Sequence, residues 1–128
     1  MSKRAAGSKS SKGKPRLTAR RMTIAQTLLL EHLRELGLWN DYRLEHEFCE
    51  GRKWRFDIAD MTLRIGYEAN GGKWSGGHRR GKAIEEENEK LNTATVMGWR
   101  VLQFTNQQIE SGYAKSWIMN NMGIARKV

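Results

Sequence analysis

The sequence predicts an α/β domain: a mixed central sheet flanked by helices, with a further helix at the C-terminal end. Apolar residues follow a 3.6-residue period from Met22 to Leu36. They alternate at period two within residues 43–69, and helical spacing returns on both sides of one last alternating stretch. The 128 residues are one domain's length, and 38% hydrophobic residues, with five Trp, are enough for a compact core.

The first helix carries Ile24, Leu28, Leu29, Leu33 and Leu36 on one stripe, and Gly37 supplies its stop. Next, RLEHEF (43–48) and KWRFDIA (53–59) alternate, with CEGR between them as a turn, and read as a hairpin. Leu44, His46 and Phe48 are expected on one face of their strand, as are Trp54, Phe56 and Ile58 of theirs. TLRIGYEA (62–69) is a third strand after a short Asp60-Met61 connection. Residues 70–82 contain two Gly-Gly pairs and read as a loop. Residues 83–97 form a charged helix with Ile84, Leu91 and Ala94 inward and Gly98 just past its end. WRVLQFT (99–105) is the fourth strand. A last helix follows Thr105, a plausible cap, with Ile109, Tyr113 and Trp117 at four-residue spacing. A strand, a crossover helix and a strand allow a parallel pair, hence the mixed sheet.

The net charge of +9 is unevenly placed. Eight of the 23 basic side chains fall in residues 1–21, where there is no acid, and the other 15 face 14 carboxylates. Residues 1–21 therefore read as a basic arm, disordered until it meets a polyanion such as DNA, with Arg20 and Arg21 at its end; a solubilising tail is the plainer reading. Residues 22–128 read as the folded domain. No apolar run approaches membrane-spanning length and the N-terminal residues are too polar for a secretory signal, so an intracellular, cytoplasmic protein is expected. The single Cys49 cannot form an internal disulfide, and His32, His46 and His78 lack zinc-site spacing. Any metal should be a hard one held by oxygen.

Asp57 on the second strand and Glu68 on the third both fall on polar faces, and adjacent strands could bring them together. Two carboxylates at contact repel, a cost that a divalent cation between them removes. The alternative is a pair of solvated strand residues neutralised by Arg55 and Arg64.

An FD followed one strand later by EAN, in this order of elements, resembles the core of the PD-(D/E)xK nuclease superfamily. The segments RFDIA, YEANGGKW and RRGKAIEEENEKLNTATVMGWRVLQFT are similar to the very-short-patch mismatch-repair endonucleases and to small phage-type nucleases. The likeness covers residues 43–105, and GWRVL (98–102) after a charged helix is its most specific part. It implies a restriction-endonuclease-like αβββαβ core and a Mg²⁺-dependent endodeoxyribonuclease, with Mn²⁺ as a substitute ion; a phage-encoded enzyme would act in the host cytoplasm. It makes Asp57 the central metal ligand, with Glu68 or the backbone carbonyl of Ala69 as the second. Two positions depart from it: Asn70 stands where the superfamily has lysine, and Ser75 where the mismatch-repair enzymes have histidine. Helix one offers Gln26 and Glu31 where many relatives place a further acid.

The Gly-rich loop could supply the missing groups. His78 could carry a proton. Lys73, Arg79, Arg80 and Lys82 could receive a phosphate, Lys82 at a helix start where amide dipoles favour an anion. Trp74 could stack on or wedge between bases, or fold back over the core. The expected activity is cleavage of distorted or branched duplex, as in DNA repair or recombination, with a non-catalytic DNA-binding module as the rival. A four-way junction would call for a homodimer.

Overall fold

The computed structural model describes residues 22–70 and 81–123. In chain order the elements are α1 (Ile24–Glu35), β1 (Tyr42–Glu47), β2 (Arg55–Asp60), β3 (Ile65–Ala69), α2 (Lys82–Val96), β4 (Arg100–Phe104), α3 (Asn106–Glu110) and α4 (Tyr113–Asn121). The sheet order is β1-β2-β3-β4; β1/β2 and β2/β3 are antiparallel and β3/β4 is parallel. The predicted mixed sheet with helices around it is therefore observed. Among the described residues no helix is long and apolar enough to cross a membrane.

Local chemistry sets the boundaries. A reciprocal cap between Thr23 and Gln26 starts α1, and Gly37, at φ 84°, ends it in a conformation that favours glycine. Residues 62–64, expected within the third strand, instead form a turn. The buried Asp60 carboxylate accepts the N–H groups of Thr62 and Leu63, each at 2.9 Å, and the side-chain amide of Asn40 at 2.8 Å. These bonds draw the chain out of the sheet, so β3 begins only at Ile65.

Two cores lie against the sheet. In the first, Leu29 and Leu33 of α1 and Ile109, Ala114 and Ile118 of α3 and α4 meet Ile58, Ile65, Tyr67 and Phe104. Each fully buried side chain of this size contributes about 1.5–3 kcal/mol of transfer free energy. In the second, Ala94 of α2 meets Phe48, Phe56, Ala59 and Trp99, and Phe48 stacks on Phe56 with ring centroids 4.2 Å apart.

Three residues expected to face inward, and two strand faces, need correction. The single last helix is two, because Gly112 at φ 90° interrupts it and resets the helical face. Ile109 remains buried, but Ala114 and Ile118 replace Tyr113, which is half exposed. Ile24 precedes the buried part of α1 and is 74% exposed, and Ile84 lies on the open side of α2. Phe56 and Ile58 do not share a core, and neither do Leu44 and Phe48. The Phe56 ring packs over Gly66, where a Cβ would come within 2.5 Å of it, so the missing side chain is what makes room for the ring. Phe48 lies just past the end of β1.

Candidate functional site

The β2/β3 ladder ends at the Ile58–Tyr67 pair, and Asp57 and Glu68 are the next residue on each strand. Both line an open cleft of about 490 Å³ between the sheet and the N-terminal half of α2. Asp57 is half-buried, and its Oδ2 accepts the backbone N–H of Ala69 at 2.8 Å. This bond fixes the carboxylate against the last residue of β3. Glu68 is buried, and its Oε2 forms an ion pair with the ammonium of Lys90, itself only 8% exposed.

The alternative pairing with arginines does not occur. Arg55 reaches Glu45 at 3.7 Å and Glu47 at 3.8 Å, while Arg64 lies over the Trp99 ring and donates to the Met97 carbonyl at 2.7 Å.

Lys90 was not singled out in the sequence, although a signal existed. Ala83, Glu87, Lys90 and Ala94 fall at helical spacing on α2; Ala94 is buried in the second core and the other three line the cleft. A charged residue at such an inward position requires a partner.

Glu45 was missed as well. It sits on β1 between the Leu44–Ile58 and His46–Phe56 pairs, lines the cleft with Asp57, and adopts φ 50°, a left-handed conformation uncommon for a non-glycine residue. Burial raises its carboxyl above the ordinary glutamate range and the charge of Asp57 raises it further, against Arg55, a hydrogen bond with the Gln26 side chain, and Lys90. Gln26 of helix one is thus brought to the edge of the site.

The remaining expected residues are placed as follows. Asn70 donates from its side chain to Gln103 at 2.6 Å. Lys82 is the exposed first residue of α2, beside the cleft-lining Ala83, and the preceding Gly81 brings no side chain to cap the helix. Ala69 meets Asp57 through its N–H. Lys73, Trp74, Ser75, His78, Arg79, Arg80, Arg20 and Arg21 lie outside the described residues. The cleft also takes in Lys53 and Arg55 at the start of β2 and Glu86 and Glu87 from α2.

Among the described residues no group of three or more His, Cys, Asp and Glu is gathered as a metal cluster. The donors present are nevertheless of the kind Mg²⁺ takes. That ion keeps several waters and needs only one or two carboxylates besides substrate oxygens. Asp57 and Glu68 offer hard oxygens, and among the described residues no thiolate or imidazole lines the cleft. Compared with known proteins, the chain matches no family model, no curated protein and no solved structure.

Proposed function

We propose that this protein is a Mg²⁺-dependent endodeoxyribonuclease, with a PD-(D/E)xK-type, restriction-endonuclease-like core, that hydrolyses phosphodiester bonds in duplex DNA. Its targets would be distorted or branched structures such as a mismatch, a nick or a Holliday junction. The observation that carries the reading is the meeting of Asp57, Glu68 and Lys90 in one cleft, drawn from two adjacent strands and a helix. Two acids and a buried lysine facing the same open space suit a phosphodiester, whose hydrolysis develops negative charge on oxygen.

Asp57 and Glu68 would hold Mg²⁺, which when bound supplies Lewis-acid stabilisation of the charge on the phosphoryl oxygens. Asp57 is kept in place by the Ala69 N–H. Lys90 supplies the cation that the resemblance lacks at Asn70, and its ammonium can donate to a phosphate oxygen. Lys53, which also lines the cleft, offers the incoming strand a positive contact that offsets repulsion by Glu86 and Glu87. The basic residues 1–21 add long-range attraction.

Linear duplex, mismatched duplex, four-way junction and single strand are incubated with the protein in Mg²⁺, Mn²⁺ or EDTA. Cuts that require the metal and favour one of the distorted substrates are expected. A second reading, a DNA-binding module without chemistry, draws support from the Glu68–Lys90 pair, since a purely structural ion pair would look the same. Binding with no cuts under any metal would favour it and overturn the nuclease.

A further inference from the structure

The carboxylate proposed to hold a divalent cation already has a cation on it. Glu68 Oε2 receives the Lys90 ammonium, and both residues are buried. An ammonium and a divalent ion at contact with one oxygen repel strongly. Moving the ammonium off with nothing to receive it would strand an unpaired charge, which buried sites tolerate poorly.

A second seat for Lys90 exists on its own helix. Glu86 and Glu87 precede it by four and three residues, the two spacings that make helical side chains neighbours, and both line the same cleft. In the inner position the Lys90 ammonium also lies 6.0 Å from the Phe56 ring centroid, and its four-carbon stem is long enough for the head to turn outward while the stem stays covered. The outer seat would be the more solvated of the two, since Glu86 is exposed and Glu87 half-buried, and so within reach of a phosphodiester entering the cleft. Lys90 thus has an inner position on Glu68 and an outer one that an anion in the cleft would strengthen.

We infer that Lys90 is exchanged: it neutralises Glu68 while the cleft lacks a divalent cation, and cation entry sends its ammonium outward to the phosphodiester. Cation and DNA then bind cooperatively through one lysine. The inference rests on the nuclease reading for the identity of both ligands. The linkage is reciprocal, since DNA that draws Lys90 outward raises cation affinity by the factor by which the cation raises DNA affinity.

The full-length protein is titrated with Ca²⁺ by calorimetry, with and without a duplex that gels show to be intact, and binding of Ca²⁺ to the duplex alone is subtracted. The wild type is expected to bind Ca²⁺ about fivefold or more tightly when the duplex is present. Lys90→Met removes the competing ammonium. It is expected to bind Ca²⁺ about tenfold more tightly than the wild type without DNA, and to gain less from the duplex than the wild type does, the remainder being direct contact between cation and phosphate. A variant that binds Ca²⁺ no better than the wild type, or that keeps the full response to DNA, overturns the exchange.

If Lys90→Met does not fold, Glu86→Gln combined with Glu87→Gln decides the matter by removing the outer seat. Weaker Ca²⁺ binding without DNA and unchanged binding with DNA are expected; equal weakening in both conditions overturns the proposal. Wild-type protein that cuts DNA with Mg²⁺ yet binds cation and duplex independently sinks the exchange alone. Protein that binds neither Ca²⁺ nor Mn²⁺, with or without DNA, sinks the exchange and the metal-dependent reading together.

Discussion

The two faces of the sheet use the same strands for opposite purposes. Toward α1, α3 and α4 the interior is filled by Leu29, Leu33, Ile58, Ile65, Ile109 and Ile118, all 0–1% exposed. Toward α2 the aromatic core of Phe48, Phe56 and Trp99 gives way within one helix to a buried ion pair, a half-buried Asp57 and an open cleft. The first face can be understood from burial alone. The second keeps charges whose desolvation costs stability, and such charges are retained where they serve chemistry or specificity. Stability and activity should therefore separate under mutation, face by face.

The largest expected separation is at Asp57. Asp57→Asn should reduce cleavage by about a thousandfold or more, a loss of the size that removing a charge-stabilising group produces. Folding should survive, because the amide oxygen can still accept the Ala69 N–H. DNA binding should hold or strengthen, since one charge that repels phosphates is gone. Cleavage assays beside circular dichroism test this; full activity in a folded variant would remove Asp57 from the site.

Leu29→Ala makes the converse cut in the first face. Leu29 is fully buried, so the variant should lose about 2–5 kcal/mol of stability through lost transfer free energy and the cavity left behind. Cleavage per folded molecule should be unchanged well below the melting temperature. A rate loss in the folded variant would mean that the first core also sets the position of the cleft.

Gly66 marks the junction of the two faces. A methyl group there would meet the Phe56 ring at 2.5 Å, and the ring is wedged between Phe48 and Trp99. Gly66→Ala should cost about 1–3 kcal/mol, the usual range for overpacking. Phe56 lies one residue from Asp57, so the variant should also slow cleavage more than Leu29→Ala does. Denaturant melts and single-turnover rates on the same samples separate the two effects.

What the sequence made legible follows the same division. Period-two alternation set Glu68 apart from Ile65 and Tyr67 on β3, but it failed on β2, where Phe56 and Ile58 pack into different cores and the expected parity of Asp57 does not hold. Lys90 has no local signal, since the lysine that the resemblance leads one to expect lies two residues beyond Glu68, where Asn70 stands. A crossover helix returns 22 residues later to the same carboxylate, and only the parallel β3/β4 topology brings it there. Glu45 has no short-range signal either, since its neighbourhood depends on hairpin register. The last helix was misread for a local reason: the four-residue spacing of Ile109, Tyr113 and Trp117 ran through Gly112, whose positive φ restarts the helix.

The smallest predicted effect tests whether the α2 face is strained electrostatically even without DNA. The Glu45 carboxyl is raised by burial first and by Asp57 second. The folded protein therefore holds this proton more tightly than the unfolded chain does. Below the ordinary glutamate pKa both states are protonated and Glu45 has no effect on stability; as pH rises past it, the unfolded chain ionises more readily and folding is penalised. The penalty grows until pH passes the raised value of the folded protein. Glu45→Gln, which keeps the shape and removes the charge, should then melt at a slightly higher temperature than the wild type near pH 7, and the gain should vanish by about pH 4. Loss of the weak contact between Arg55 and Glu45 opposes the gain and keeps it small. Melting curves of both proteins across that range are the measurement. A gain that persists in acid would trace the effect to something other than charge, and no gain at any pH would show that neither burial nor Asp57 penalises this carboxylate.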